Sequence, residues 1–361
     1  LPSDELFAMT LRLAFLGIDH PHGAHWRQQL ENFSHQVRLV ALVPALGGGT
    51  ASLEERYADL PRFATVEELL DWGQFDAAVV CLSNREGPAA IVALAGAGKH
   101  VLAEKPVAAG AEAAQTIVQA VAASGIAFQT GYMWRYDEVA NRLKNMVARG
   151  AFGKRISIEM TFVTSDAARR GPEHYLFDPQ ASGGGFFSWL ACHWLDTLLY
   201  VTGRSVVGVT ARCGVYGAVP LEVEDGGAAI LELDDGSLAT FVGGYWLPRW
   251  VGESRWAIRG SQRWVHWDAA RKGTQGVLEI HGPQPQWHAM EETFVVPDEG
   301  PSGYGGRRGY LLVQDWLDCI RTGRRDNRGS AASMLATLQL IDAIYASSRE
   351  GRRIACQIGP A

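Results

Sequence analysis

AGKHVLAEKPVA, residues 97–108, places a helix-ending glycine at Gly98 before the apolar run HVLAEKP (100–106), which Pro106 halts. A short apolar run between turn signals reads as a buried strand, and proline cannot continue a hydrogen-bonded ladder. The residue before proline is kept out of the helical region, which predicts that Lys105 turns out toward the crevice at the strand tip. Working outward, LRLAFLG (11–17), VRLVALV (37–43), FDAAVVCLS (75–83) and IAFQTG (126–131) are further strand-like runs. Helix-like stretches separate them, from about His22 to Phe33 and over 51–60, 65–72, 87–97 and 111–124. Thr65 and Glu68 form a capping box at the start of the third of these. Strands alternating with helices at this spacing predict right-handed βαβ units in a doubly wound parallel sheet.

Beyond residue 130 the pattern changes. A helix over 137–149 precedes strand candidates at 154–164, 205–216, 227–234, 237–246, 255–260 and 263–267, with hairpin signals at Asp235-Gly236 and Gly260-Ser261. These predict a large, mostly antiparallel open sheet carrying most of the tryptophans. The Gly- and Pro-rich stretch 281–306 reads as a loop, and amphipathic helices over 309–322 and 330–350 close the chain. The expectation is α/β: residues 9–130 as a dinucleotide-binding domain and 131–361 as an α+β domain, with the helices of 309–350 packing back toward the first.

Composition narrows the function classes. With 361 residues, 47% hydrophobic and 20% charged, the chain is globular and long enough for two cores. A formal net charge of −6 argues against a nucleic-acid partner. No apolar run is long enough to span a membrane. Five scattered cysteines without a CxxC pair indicate neither a disulfide framework nor a structural zinc site, and fit a reducing cytoplasm. LPSDELFAMT at the N-terminus does not read as an intact signal peptide, and Met9 reads as the natural start.

In doubly wound sheets, ligands bind beyond the carboxyl ends of the strands. That rule selects the tips at 17–25, 81–87 and 104–106. The first, GIDHPHGAHW (17–26), admits two readings: an HxH metal pair, His20 and His22, or a phosphate turn opened by Gly17 whose later glycines are replaced. Metal hydrolysis would need further ligands at later tips, which offer Asn84, Glu104 and Lys105 instead. Lys105 at the last tip is placed to hydrogen-bond a substrate hydroxyl.

The whole stretch 97–108 resembles the hallmark segment of the glucose–fructose oxidoreductase/inositol dehydrogenase (Gfo/Idh/MocA) family. In the expected order come Ser83-Asn84, GYMWRYDEVANRLKNMVARGAFGKRISIEM (131–160), SGGGFFSWLACHWLD (182–196) and LIDAIYASSREGRRI (340–354). The resemblance implies a Rossmann domain, NAD or NADP as cofactor, and hydride transfer at a secondary alcohol of a sugar, glycoside or cyclitol. It implies Lys105 and His193 as the catalytic pair, with His193 accepting the alcohol proton and Asp196 supporting it. Gly17, Asp19, His22, Gly23, His25, Ser83, Asn84, Glu104 and Lys105 fall at the cofactor. Arg135, His174, Tyr175, Trp189 and Asp196 are candidate substrate contacts. A homodimer or homotetramer through the C-terminal sheet is also implied.

Departures from the family pattern are specific. GxGxxGxxH aligns onto Gly17, Asp19, His22 and His25, so only its first glycine and its histidine remain. Asp19 brings a carboxylate where backbone approaches a pyrophosphate. Pro44 ends the second strand with neither acid nor arginine beside it, leaving NAD and NADP undistinguished; Gly47-Gly48-Gly49-Thr50 beyond reads as a loop. Trp189 stands where an aspartate is common and Leu176 where an arginine is. Trp189 reads either as a platform for a sugar's apolar face or as a filler of a lost site. The main expectation is therefore an NAD(P)-dependent oxidoreductase. The alternatives are a nicotinamide-dependent lyase or glycosidase, a metal-dependent hydrolase using His20 and His22, and a catalytically lapsed binding protein.

Overall fold

The computed structural model describes residues 10–45, 48–248, 252–283 and 289–360. Met9 with the segment before it, and Gly47 of the glycine run, lie outside the described residues. The chain divides into two compact units, Leu1–Tyr136 with Gly300–Leu335, and Asp137–Glu299 with Ala336–Ala361.

In the first unit, β1 (Leu11–Leu16), β2 (Val37–Val43), β3 (Ala77–Val80), β4 (His100–Ala103) and β5 (Phe128–Thr130) form a parallel sheet in the order β2-β1-β3-β4-β5. The crossovers carry α1 (Gly23–Glu31), α2 (Val66–Trp72), α3 (Gly87–Gly96) and α4 (Ala111–Ser124). Leu13, Phe15, Val79 and Leu102 are fully buried, as strands covered on both faces require. Strand order reverses beside β1, the switch point where such sheets bind ligands.

Gly17 makes the turn there. Its φ is +85°, and a Cβ at this position would lie 1.9 Å from the Cys81 carbonyl oxygen beyond β3. Gly17→Ala therefore meets both a disfavoured conformation and unyielding backbone. We expect a loss of about 2–4 kcal/mol, read as a fall in melting temperature; an unchanged melting temperature would show that the turn can be reshaped.

One expected helix does not form: within 51–60 only Glu55–Tyr57 make a single 3₁₀ turn. The first residues of the stretch are held to other parts of the unit instead. The Ala51 and Ser52 amides donate to the Asp19 carboxylate, and the Ser52 carbonyl accepts from Arg27.

In the second unit, α5 (Glu138–Ala148) leads into β6 (Arg155–Ser165), α6 (Pro179–Ser182) and α7 (Cys192–Thr202). Then come β7 (Val206–Gly214), β8 (Gly226–Leu233), β9 (Leu238–Leu247), β10 (Gly252–Gly260), β11 (Trp264–Asp268), β12 (Thr274–His281) and β13 (Met290–Pro297). After α8 (Arg307–Thr322), which belongs to the first unit, and α9 (Ala331–Glu350), β14 (Ile354–Ile358) completes a sheet ordered β13-β12-β11-β10-β6-β9-β8-β7-β14. Its pairings are antiparallel except β6 with β9. The 281–306 stretch is thus not all loop: β13 pairs along β12 from Thr274–Pro297 to His281–Met290. Partner pairing supplies order that the surrounding glycines and prolines concealed.

Trp194 of α7 meets Trp256 of β10 and Trp267 of β11 with ring centroids 5.5 and 5.4 Å away, in T-shaped contacts. All three rings are essentially buried. Such aromatic clusters fix rotation as well as position, so α7 is pinned to the sheet beside its neighbour His193.

Candidate active site

At the first strand tip, the HxH pair is not arranged as metal ligands. His20 Nδ1 accepts the His22 amide at 3.1 Å, and His22 Nδ1 faces Glu104 Oε1 at 3.1 Å. The metal reading of His20 and His22 is corrected on the missing ligands: among the described residues, no gathered group of three or more His, Cys, Asp or Glu side chains includes either ring.

Asp19 answers the difficulty raised by its charge. Its carboxylate accepts the Ala51 and Ser52 amides at 3.0 and 2.9 Å, and Gly49 approaches so closely that a Cβ there would stand 2.4 Å from Oδ2. Burial pushes the Asp19 carboxyl up, but the Ser52 and Ala51 hydrogen bonds, with Arg27, outweigh it and leave it below its ordinary value. Arg27, itself fully buried, pairs with Glu54 at 2.6 Å and donates to the Ile18 and Ser52 carbonyls. Asp19 thus clasps the loop after β2. Gly23 opens α1 so near Ile18 that a Cβ would lie 2.4 Å from its carbonyl oxygen. The close packing, the Gly17 turn and the helix N-terminus fit the pyrophosphate of a dinucleotide.

At the β4 tip, Glu104 and Lys105 are 4% and 1% exposed. Lys105, expected to face the crevice partly buried, is almost wholly buried, with Nζ 3.8 Å from Glu104 Oε1 and a cis bond to Pro106. Glu104 also accepts the Trp26 indole N–H, and Trp26 stacks on Tyr304 at 4.1 Å. The Tyr304 hydroxyl donates to the Gly131 carbonyl at 3.0 Å. Burial would raise the Glu104 carboxyl, yet His22 and then Lys105 outweigh it and hold it at about 2. Burial lowers His22, and Glu104 restores it only in part. A Glu104 carboxylate accepting the Nδ1–H of a neutral His22 satisfies both directions. Trp26 and Tyr304 had no sequence signal, since their partners lie far along the chain.

The remaining first-unit residues are placed as follows. Ser83 Oγ donates to Glu86 at 2.7 Å and accepts its amide, closing the turn into α3; Asn84 beside it is buried. His25 is exposed, and its carbonyl accepts the Tyr304 amide. Arg135 is buried and donates to the Arg328 carbonyl at 2.9 Å.

In the second unit, His193 is 5% exposed on α7, and Asp196 is fully buried and accepts from Thr337 at 3.1 Å. A π turn over Phe187–Ala191 precedes α7 and contains Trp189, which is 3% exposed. His174 and Tyr175 sit at a 3₁₀ turn, where His174 Nδ1 accepts the Leu176 amide.

A neighbouring network went unseen in the sequence. Glu224 accepts the Gly185 and Phe187 amides at 2.8 and 3.0 Å and the Tyr345 hydroxyl at 2.8 Å; Ser188 bonds that same hydroxyl at 3.1 Å. A Cβ on Gly185 would stand 1.9 Å from the Glu224 carbonyl oxygen, which explains one glycine of the SGGG run. The network secures the start of the helical segment that carries His193.

Known proteins align with both units. Residues 11–132 match the profile described as oxidoreductase family, NAD-binding Rossmann fold, and residues 140–266 match the GFO/IDH/MocA C-terminal domain. The chain is 28% identical over 261 residues to myo-inositol 2-dehydrogenase of Thermotoga maritima, spanning 70% of this chain and 68% of that protein. With inositol 2-dehydrogenase of Rhizobium meliloti it shares 25% over 207 residues, 57% of this chain and 59% of that one. Among solved structures, levoglucosan dehydrogenase in complex with NADH and levoglucosan superposes with a TM-score of 0.82 at 18% identity, covering 96% of this chain and 99% of that one. Aldose-aldose oxidoreductase from Caulobacter crescentus gives 0.79 at 23% identity, covering 96% and 100%. At these identities the superpositions establish the fold.

Proposed function

The chain belongs to the Gfo/Idh/MocA oxidoreductase family, and from that premise we propose an NAD(P)-dependent oxidoreductase acting on a secondary alcohol of a sugar, glycoside or cyclitol. The observation that carries the reading is the buried Glu104–Lys105 pair at the tip of β4, in a doubly wound unit whose Gly17 turn lies at the switch point. The nicotinamide, when bound, supplies the hydride acceptor or donor. Lys105 holds the substrate hydroxyl, and the Glu104 carboxylate beside it keeps it in place. His193 takes the hydroxyl proton as the carbinol carbon gives up its hydride, and returns it in the reverse direction. Asp196 orients the helix face that carries His193.

The cofactor assignment is tested by titrating NADH and NADPH against tryptophan fluorescence. Saturable binding in the micromolar range is expected for at least one of the two, because the Gly17 turn and the N-terminus of α1 fit a pyrophosphate. Binding of neither nucleotide would overturn the proposal. Inositols and anhydrosugars, the substrates named for the relatives, are the first panel to assay.

We also propose a homodimer or homotetramer through the β8–β9 part of the outer face of the nine-stranded sheet, where Ile230 and Val242 are exposed, leaving the β11–β12 end of that face open to solvent. Sedimentation of a monomer would exclude it. The five free thiols suit a reducing cytoplasm. Among the described residues, no helix is long and apolar enough to cross a membrane.

A further inference from the structure

The β11–β12 hairpin carries a side-chain cluster that the oxidoreductase chemistry does not use. His266 pairs across the strands with Glu279, and His281, two residues further along β12, pairs with Trp264. Period-two alternation therefore puts His266, Glu279 and His281 on one face of the sheet. One ligand-capable atom from each lies within 4.8 Å of the others, and His266 Nδ1 is 3.9 Å from Glu279 Oε2. Among the described residues this is the one group of three or more such side chains so gathered.

We propose that this face of the hairpin binds a divalent transition metal of the zinc type, with His266, Glu279 and His281 as three ligands and solvent completing the tetrahedron. Two imidazoles and a carboxylate are a donor set that zinc accepts at about 2.0–2.2 Å, which implies ligand atoms about 3.4 Å apart. The exposed His266 and Glu279 side chains, 49% and 42% accessible, have room to rotate that far inward. His281 supplies a fixed corner: it is 8% exposed, and its ring stacks on Trp264 with centroids 4.8 Å apart and planes 5° from parallel.

The charges around the cluster suit a cation. Arg259 faces it from β10 but is compensated by two hydrogen bonds to Glu159, at 2.5 and 3.2 Å.

Untagged full-length protein, stripped with chelator, is titrated with zinc by calorimetry, and cobalt serves as a coloured substitute. One metal ion per chain is expected, with a tetrahedral cobalt spectrum and affinity falling as acid protonates the histidines. His266→Ala and Glu279→Gln, at exposed positions that leave the fold intact, should each weaken binding by about tenfold or more, as should His281→Ala. His35→Ala, at an exposed position elsewhere, should change nothing. The assignment is overturned if no stoichiometric metal binds, or if the His266 and Glu279 variants bind as tightly as the parent.

Discussion

Lys105→Met and His193→Ala are each expected to lower kcat by about 10²–10⁴-fold while changing NADH affinity little. Hydride leaves the carbinol carbon only as the hydroxyl gives up its proton, so losing the proton acceptor strikes the chemical step itself. Lys105→Met keeps the aliphatic bulk in a position 1% exposed and removes only the charge and its hydrogen bonds. The measurement is kcat and KM on the best substrate of the inositol and anhydrosugar panel, beside the NADH titration. Near-normal turnover in both variants would show the two residues misassigned. A loss confined to NADH affinity would move Lys105 from the chemistry to the cofactor.

The largest stability effect is expected at Glu104. Its carboxylate, 4% exposed, is met by Trp26, His22 and Lys105, so Glu104→Leu leaves the indole N–H without its acceptor and removes the negative charge beside a buried ammonium. Breaking a buried pair from one side costs about 3–5 kcal/mol, which should appear as a clear fall in melting temperature. The pH dependence gives a second reading. The carboxyl is held at about 2 in the folded protein, from an ordinary value of 4.5. Because the folded value is the depressed one, the stabilisation is complete above the ordinary value and is lost as pH falls through the folded value. Its full size is on the order of 3 kcal/mol. Between pH 4.5 and 2, Glu104→Gln should therefore lose stability less steeply than the parent. Parallel acid profiles for the two proteins would remove Glu104 from the network.

Much of the fold was legible in the residues because it is written in local periodicity. The apolar runs at 11–17 and 100–106, each stopped by glycine or proline, appear as β1 and β4, and the 111–124 helix forms over the residues expected. Stretches whose order depends on distant partners were not legible. Residues 51–60 look helical alone, yet Asp19 and Arg27 hold the first of them to other parts of the unit. MEETFVVP becomes a strand only because β12 lies beside it, and IACQI only because β7 does.

The same division runs through the site. By itself the sequence determined the two-unit architecture, the glycine that must turn at residue 17, and the identities of Lys105, His193 and Asp196 as the residues worth testing. Tertiary structure decided what those residues touch. It placed Lys105 in the interior beside Glu104, sent the Asp19 carboxylate to the amides of Ala51 and Ser52, and set Nδ1 of His20 against backbone and Nδ1 of His22 against Glu104. It also joined Glu224 to Tyr345, and His266 to His281, across stretches with no mutual pattern. Periodicity reports which face of an element is buried. Hydrogen bonds between side chains far apart in sequence leave no period behind, so only the folded chain reveals which charge meets which partner.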